Sequence, residues 1–172
     1  MAKNDVEPPA NSVGRSGGAD LEPSSNAGGN ERARKAALPA PTDGMTWRWD
    51  VASHAARFGV PPNGTSFAIA CDRGRLVLRR FDAAPRGGQG TMSFTGNGRV
   101  ASLPAASVGD TTSLSSLWQA VERPSDRTAA VARVFDGPAP VEIALAGTTK
   151  LVTRSSALPA RAFAACAPPA AP

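Results

Sequence analysis

The chain has 172 residues, 41% of them apolar and only 5% aromatic, with a formal net charge of +5. That length and composition suit one domain of ordinary size. They exclude a membrane-spanning helix, because no apolar run approaches the roughly 18 residues that crossing a bilayer requires. Every Phe and Trp lies after residue 46, which leaves the first 43 residues without the material for a core. Val6, Val13, Leu21 and Leu38 are scattered there among Pro8-Pro9, Gly17-Gly18, Ser24-Ser25 and Gly28-Gly29. So little apolar area does not offset the entropy of ordering a backbone, so residues 1–43 are predicted to be a disordered leader or tether. Residues 44–167 are read as a single β-rich domain and 168–172 as a disordered tail. The leader holds five basic against six acidic residues, so the excess positive charge belongs to the body. Met1 to Ser12 lacks the apolar stretch of a secretory signal. Taken as written, the start implies a cytoplasmic protein; if the N-terminus is incomplete, the long polar leader implies a periplasmic or envelope-tethered one.

The body reads mostly as strands. Met45 to Trp49 opens it, and Ser66 to Cys71 places Phe67, Ile69 and Cys71 on one face. Arg75 to Phe81 follows across Asp72-Arg73-Gly74, which predicts a hairpin. A second hairpin is predicted for 91–95 and 99–103, because Asn97-Gly98 between them tolerates the positive φ of a tight turn. Leu114 to Val121, Val141 to Leu145 and Lys150 to Arg154 complete the set. Short runs between turn signals indicate a mainly β fold, a small antiparallel β-sandwich or barrel. One internal helix is expected over Asp126–Phe135, capped by Ser125 and stopped at Gly137, with Ala130, Val131, Val134 and Phe135 on one face. A short C-terminal helix is expected over Pro159–Cys166, capped by Ser155 or Ser156.

Cys71 and Cys166 bracket most of the body, and neither has a neighbouring His or a second nearby thiol. That spacing supplies no zinc or redox motif, leaving a structural disulfide or two unpaired buried thiols. Catalytic patterns are sparse. The single histidine, His54, sits in VASHAARFG with no G-x-S-x-G element elsewhere, and the chain has no tyrosine. Gly87-Gly88-Gln89-Gly90 lacks the Lys-Ser/Thr of a phosphate loop. Asn63-Gly64-Thr65 fits a glycosylation sequon, but a turn before a strand accounts for it. The chain is therefore read as non-enzymatic, with no metal and no cofactor.

Arginine is the exception. Arg73, Arg75, Arg79, Arg80 and Arg99 fall within the two hairpins, along with Arg86, opposed there only by Asp72 and Asp82. These residues form the candidate binding set, for a phosphate, acidic glycan, lipid headgroup or other anionic partner. The alternative is a solvated sheet face rich in Arg because the chain uses 16 Arg to 3 Lys. Arg75 and Arg79 share strand parity and Arg80 does not, so one of them must lie at an edge or snorkel. Specific nucleic-acid binding is not expected, since only Phe81 and Phe94 are near enough to stack. Trp47 and Trp49 point the same way from one strand, either as an exposed carbohydrate-stacking pair or as a cover for the core.

The segments FAIACDRGRLVLRRF, the Leu103–Ala105 LPA, DRTAAVARVF, VEIALAG and the closing LPARAFAAC resemble the layout of small exported envelope proteins of high-GC Gram-negative bacteria. More distantly, the F-x-x-x-C-D-x-G-x-L-x-L strand and the late Cys resemble the membrane-bound inhibitors of animal-type lysozyme. The resemblance covers about residues 66–166. It implies an envelope location and a Cys71–Cys166 bond, and it leaves three functions in view. These are a non-enzymatic envelope domain with an anionic or protein partner, an inhibitor of a cell-wall hydrolase, or a hydrolase of unrecognised type. The inhibitory Ser-Gly loop is not visible, and a basic body is repelled by a cationic lysozyme.

Overall fold

The computed structural model describes residues 42–109 and 116–167. All of the predicted leader except its last two residues, the tail at 168–172 and the first two residues of the strand expected from Leu114 lie outside the described residues. The strands are β1 (Thr46–Asp50), β2 (Ala55–Gly59), β3 (Phe67–Asp72), β4 (Arg75–Arg80), β5 (Gln89–Gly96), β6 (Arg99–Gly109), β7 (Ser116–Glu122), β8 (Val141–Leu145) and β9 (Leu151–Thr153). The helices are α1 (Asp126–Phe135) and α2 (Leu158–Ala164). All strand pairs are antiparallel, in the order β1-β2-β3-β4-β7-β6-β5-β8-β9.

The mainly β expectation holds, in the form of one continuous sheet that curls without closing into a barrel. Phe67 on β3 and Phe94 on β5 are four strand positions apart, about 19 Å in a flat sheet. Their ring centroids are nevertheless 6.2 Å apart. The free edges β1 and β9 meet through two side-chain links: Trp47 Nε1–H donates to the Arg154 carbonyl at 2.8 Å, and Thr42 Oγ1 accepts from the Val152 N–H. The concave face carries Phe58, Phe67, Ile69, Leu78, Met92, Phe94, Leu103 and Ile143, all buried, and the two helices cover it.

Both hairpin turns are two-residue turns with left-handed backbone. Arg73-Gly74 has φ of 49 and 70°, and Asn97-Gly98 has 51 and 70°. Asn97 also docks the helix: its Nδ2–H donates to Val134 O and its Oδ1 accepts from Ala139 N–H. α1 begins as expected, with Ser125 Oγ accepting from Thr128 N–H and Thr128 Oγ1 accepting from Ser125 N–H.

Three expectations need correction. β2 was not foreseen, because Ala55-Ala56-Arg57-Phe58-Gly59 has one large apolar residue and no legible alternation. β6 continues past Leu103, the end expected for the second strand of the hairpin, to Gly109. The β6–β7 ladder ends at Ala106 and Gln119, two residues short of Pro104, which has no N–H to extend it. Finally, α2 is capped by Ala157 without a side-chain bond. Ser156 Oγ accepts from Leu158 N–H, Ser155 Oγ donates to Gly137 O, and Cys166 lies beyond the helix end.

Cys71 and Cys166 form a disulfide with their Cα atoms 5.2 Å apart. Cys71 shares the inward parity of Phe67 and Ile69, so the bond pins the end of α2 against β3, while Phe163 packs on Phe135 at 5.7 Å.

Candidate functional site

The five arginines of the predicted set separate into three environments. Arg80, opposite Phe67 and Trp118, projects to the concave side and is 4% exposed. Its Nη2 contacts Asp82 Oδ2 at 2.6 Å and donates to Thr149 O at 2.9 Å, tying the end of β4 to the β8–β9 turn across the interior. Burial lowers its pKa from the ordinary arginine value, and Asp82 opposes that shift. The parity conflict seen in the sequence is thus resolved by an internal ion pair. Arg99 also leaves the group: its Nη1 donates to Arg133 O at 2.7 Å and to Asp136 O at 3.4 Å, satisfying carbonyls at the C-terminal end of α1.

Arg73, Arg75 and Arg79 come together on the convex face. With Asp72, Val77, Gln119 and Val121 they line an open cleft of about 440 Å³. Strand alternation puts Arg75, Val77 and Arg79 in one row, and the ladder to β7 sets Val121 beside Val77 and Gln119 beside Arg79. Arg79 Nε–H donates to Gln119 Oε1 at 2.9 Å, which holds its guanidinium toward β7. On the other side β3 sets Ala68 beside Arg79 and Ala70 beside Val77, so nothing bulky stands over that part of the row, and Asp72 lies opposite Arg75 at its end. Val77 is 5% exposed, recessed between the arginine stems, while Val121 is 41% exposed. Asp72 faces Arg75 across the ladder, yet among the described residues none of the three arginines makes an ion pair. Gln119 and Val121 were not foreseen as part of a site, because the β4–β7 pairing joins segments 40 residues apart.

Two other strand arginines of this face, Arg48 and Arg57, are engaged. Arg57 pairs with Asp50 at 2.6 Å. Arg48 donates to the carbonyls of Val60, Pro62 and Gly64, binding the turn that contains Asn63. The carboxyl of Asp50 is held below its ordinary range chiefly by hydrogen bonding from Ser53, with Arg57 and Ala52 contributing.

Other sequence features have local explanations. Trp47 lies among Phe58, Phe67 and Phe135, and Trp49 lies under the Arg161 guanidinium at 4.1 Å, so the pair covers the core. A side chain at Gly88 would press on Pro85 and the Trp118 ring, which accounts for glycine there. His54 is exposed in the β1–β2 turn with φ of 48°. A second concavity of about 500 Å³ lies between α1 and α2, lined by Leu76, Ala129, Ala132, Phe163 and Cys166. Its hydroxyls, Ser125 and Thr128, are engaged in the α1 cap.

Against known proteins, the chain matches no family model, no curated protein and no solved structure.

Proposed function

We propose that the protein is a non-catalytic cell-envelope domain that binds an anionic partner in the cleft of Arg73, Arg75 and Arg79. The observation that carries this reading is that, among the described residues, the three guanidiniums around a recessed valine make no ion pair, while Arg57 and Arg48 on the same sheet face are engaged by a carboxylate and by carbonyls. Arginine forks suit carboxylate and phosphate, and being weakly hydrated they give up water readily on binding. The envelope location is supported by the Cys71–Cys166 bond, because disulfides persist in oxidising compartments and are reduced in the cytosol.

The test is a calorimetric titration at low and high ionic strength with inorganic pyrophosphate, trigalacturonate and poly-L-glutamate. At least one is expected to bind, more weakly as salt rises, and to lose binding to an Arg75→Gln/Arg79→Gln variant. Absence of binding to all three, or equal binding by the variant, would overturn the proposal.

A further inference from the structure

The cleft has a period as well as a charge. Side chains on one face of a strand recur every two residues, about 6.7 Å, so Arg75 and Arg79 are about 13 Å apart at Cα, with Val77 midway. Because Gln119 turns the Arg79 guanidinium toward β7, the two arginines do not converge on one small anion. Each is left to receive its own negative group, and the space between them is apolar, floored by Val77 and walled by Val121.

That pattern discriminates among anionic ligands. A free phosphate or pyrophosphate is too short to engage both ends and gains nothing from the valines. Nucleobases are held by stacking on aromatic faces, and an acidic glycan gains nothing from the apolar floor; no aromatic side chain is among the residues lining the cleft. A lipid surface is best held by apolar side chains that protrude beside basic ones, whereas Val77 is recessed below the guanidiniums. An extended polypeptide has the same two-residue repeat as β4. Laid along the strand, it presents carboxylates at positions i and i+4 to Arg75 and Arg79 and an apolar residue at i+2 to Val77 and Val121.

Arg73 adds a further observation. It occupies the first position of a two-residue turn with φ of 49°, where Asn, Asp or Gly is favoured and another residue costs stability. Arginine at this position adds a third guanidinium to the cleft lining, beside the strand row of Arg75 and Arg79.

Resting on the anion-binding reading above, we infer that the partner is an acidic protein, recognised through an extended segment with acidic residues four apart and an apolar residue between them. The experiment is an amide-resolved NMR titration of the full chain with Ac-Asp-Ala-Val-Ala-Asp-amide and two controls. One control replaces the central Val with Ser; the other, Ac-Ala-Asp-Val-Asp-Ala-amide, brings the acids two residues apart. The first peptide is expected to shift signals of 75–79 and 119–121. Its affinity should fall by about tenfold or more in Arg75→Gln and in Arg79→Gln, as loss of a charge-assisted hydrogen bond implies. Both control peptides are expected to bind several-fold more weakly. Equal binding of all three peptides would overturn the inference. Binding of pyrophosphate or trigalacturonate that depends on Arg75 and Arg79, with no peptide binding, would overturn it and leave the anion-binding reading standing. No binding by any probe would overturn both.

Discussion

Breaking the Cys71–Cys166 bond, by reduction or by Cys71→Ser with Cys166→Ser, releases a crosslink between residues 95 apart in sequence. In the chain-entropy treatment a closed loop of that length removes about 16 cal/mol/K from the unfolded ensemble, or about 4.7 kcal/mol at 25 °C. A folded body of this size unfolds with an entropy of about 0.25 kcal/mol/K, so the full effect lowers Tm by about 19 °C. Measured disulfides usually deliver less, so the expected fall is about 8–19 °C. The loss should begin at α2. This helix has seven residues, well under the roughly 12–15 that an isolated helix needs, and it is held by Pro159, Ala162, the Phe163–Phe135 contact and the bond itself. The assay is thermal unfolding followed by tryptophan fluorescence, with thiol titration confirming reduction. A fully reduced protein melting within about 3 °C of the oxidised one would refute the assignment of this bond as the main anchor of α2.

Arg73→Asn should stabilise the fold by about 0.5–1 kcal/mol in urea unfolding, because Asn tolerates the left-handed turn better, while weakening anion binding; changes of the same sign would contradict the role given to Arg73. Arg80→Met should cost about 2–3 kcal/mol, below the ~3–5 of a fully buried pair because Asp82 retains some solvent contact, and should leave anion affinity unchanged at temperatures where the variant is folded. Gly137→Ala should destabilise by about 1–3 kcal/mol, since φ is 153° there and a Cβ would meet the Asn97 amide that docks the hairpin to α1. Asp50 has a folded pKa below its unfolded value, so its stabilisation is present above the unfolded pKa and is lost as pH falls through the folded one. The stability gap between wild type and Asp50→Asn should therefore close on acidification below about pH 4, and a gap independent of pH would contradict the account.

What the sequence made legible was local. The turns Arg73-Gly74 and Asn97-Gly98, the Ser125 cap and the alternation in Val141–Leu145 each depend on residues close in the chain. β2 escaped notice because Ala55 and Ala56 give almost no periodic signal. The small side chain of Ala56 leaves room for Trp49, opposite it on the adjoining edge strand. The strand expected to end at Leu103 continues through Pro104, because the missing N–H is harmless where the β7 ladder has already ended, and that depends on register between distant strands. The same limit divided the arginine set. Parity separated Arg80 from Arg75 and Arg79, but its partner Thr149 is 69 residues away. Arg99 looked like an exposed strand residue because α1, whose carbonyls it binds, lies 34 residues on. The cleft needed β7 beside β4, and no local pattern announces that neighbour.

The most direct test of the central claim is the change in affinity for Ac-Asp-Ala-Val-Ala-Asp-amide when the cleft arginines are removed one at a time and Arg80 and Arg99 serve as controls. The expected result is that Arg75→Gln and Arg79→Gln each lose about tenfold or more, while Arg80→Met and Arg99→Ala, though less stable, bind as wild type does. An equal loss across all four variants would show that overall positive charge attracts the peptide, and would contradict a defined site on the β4–β7 face.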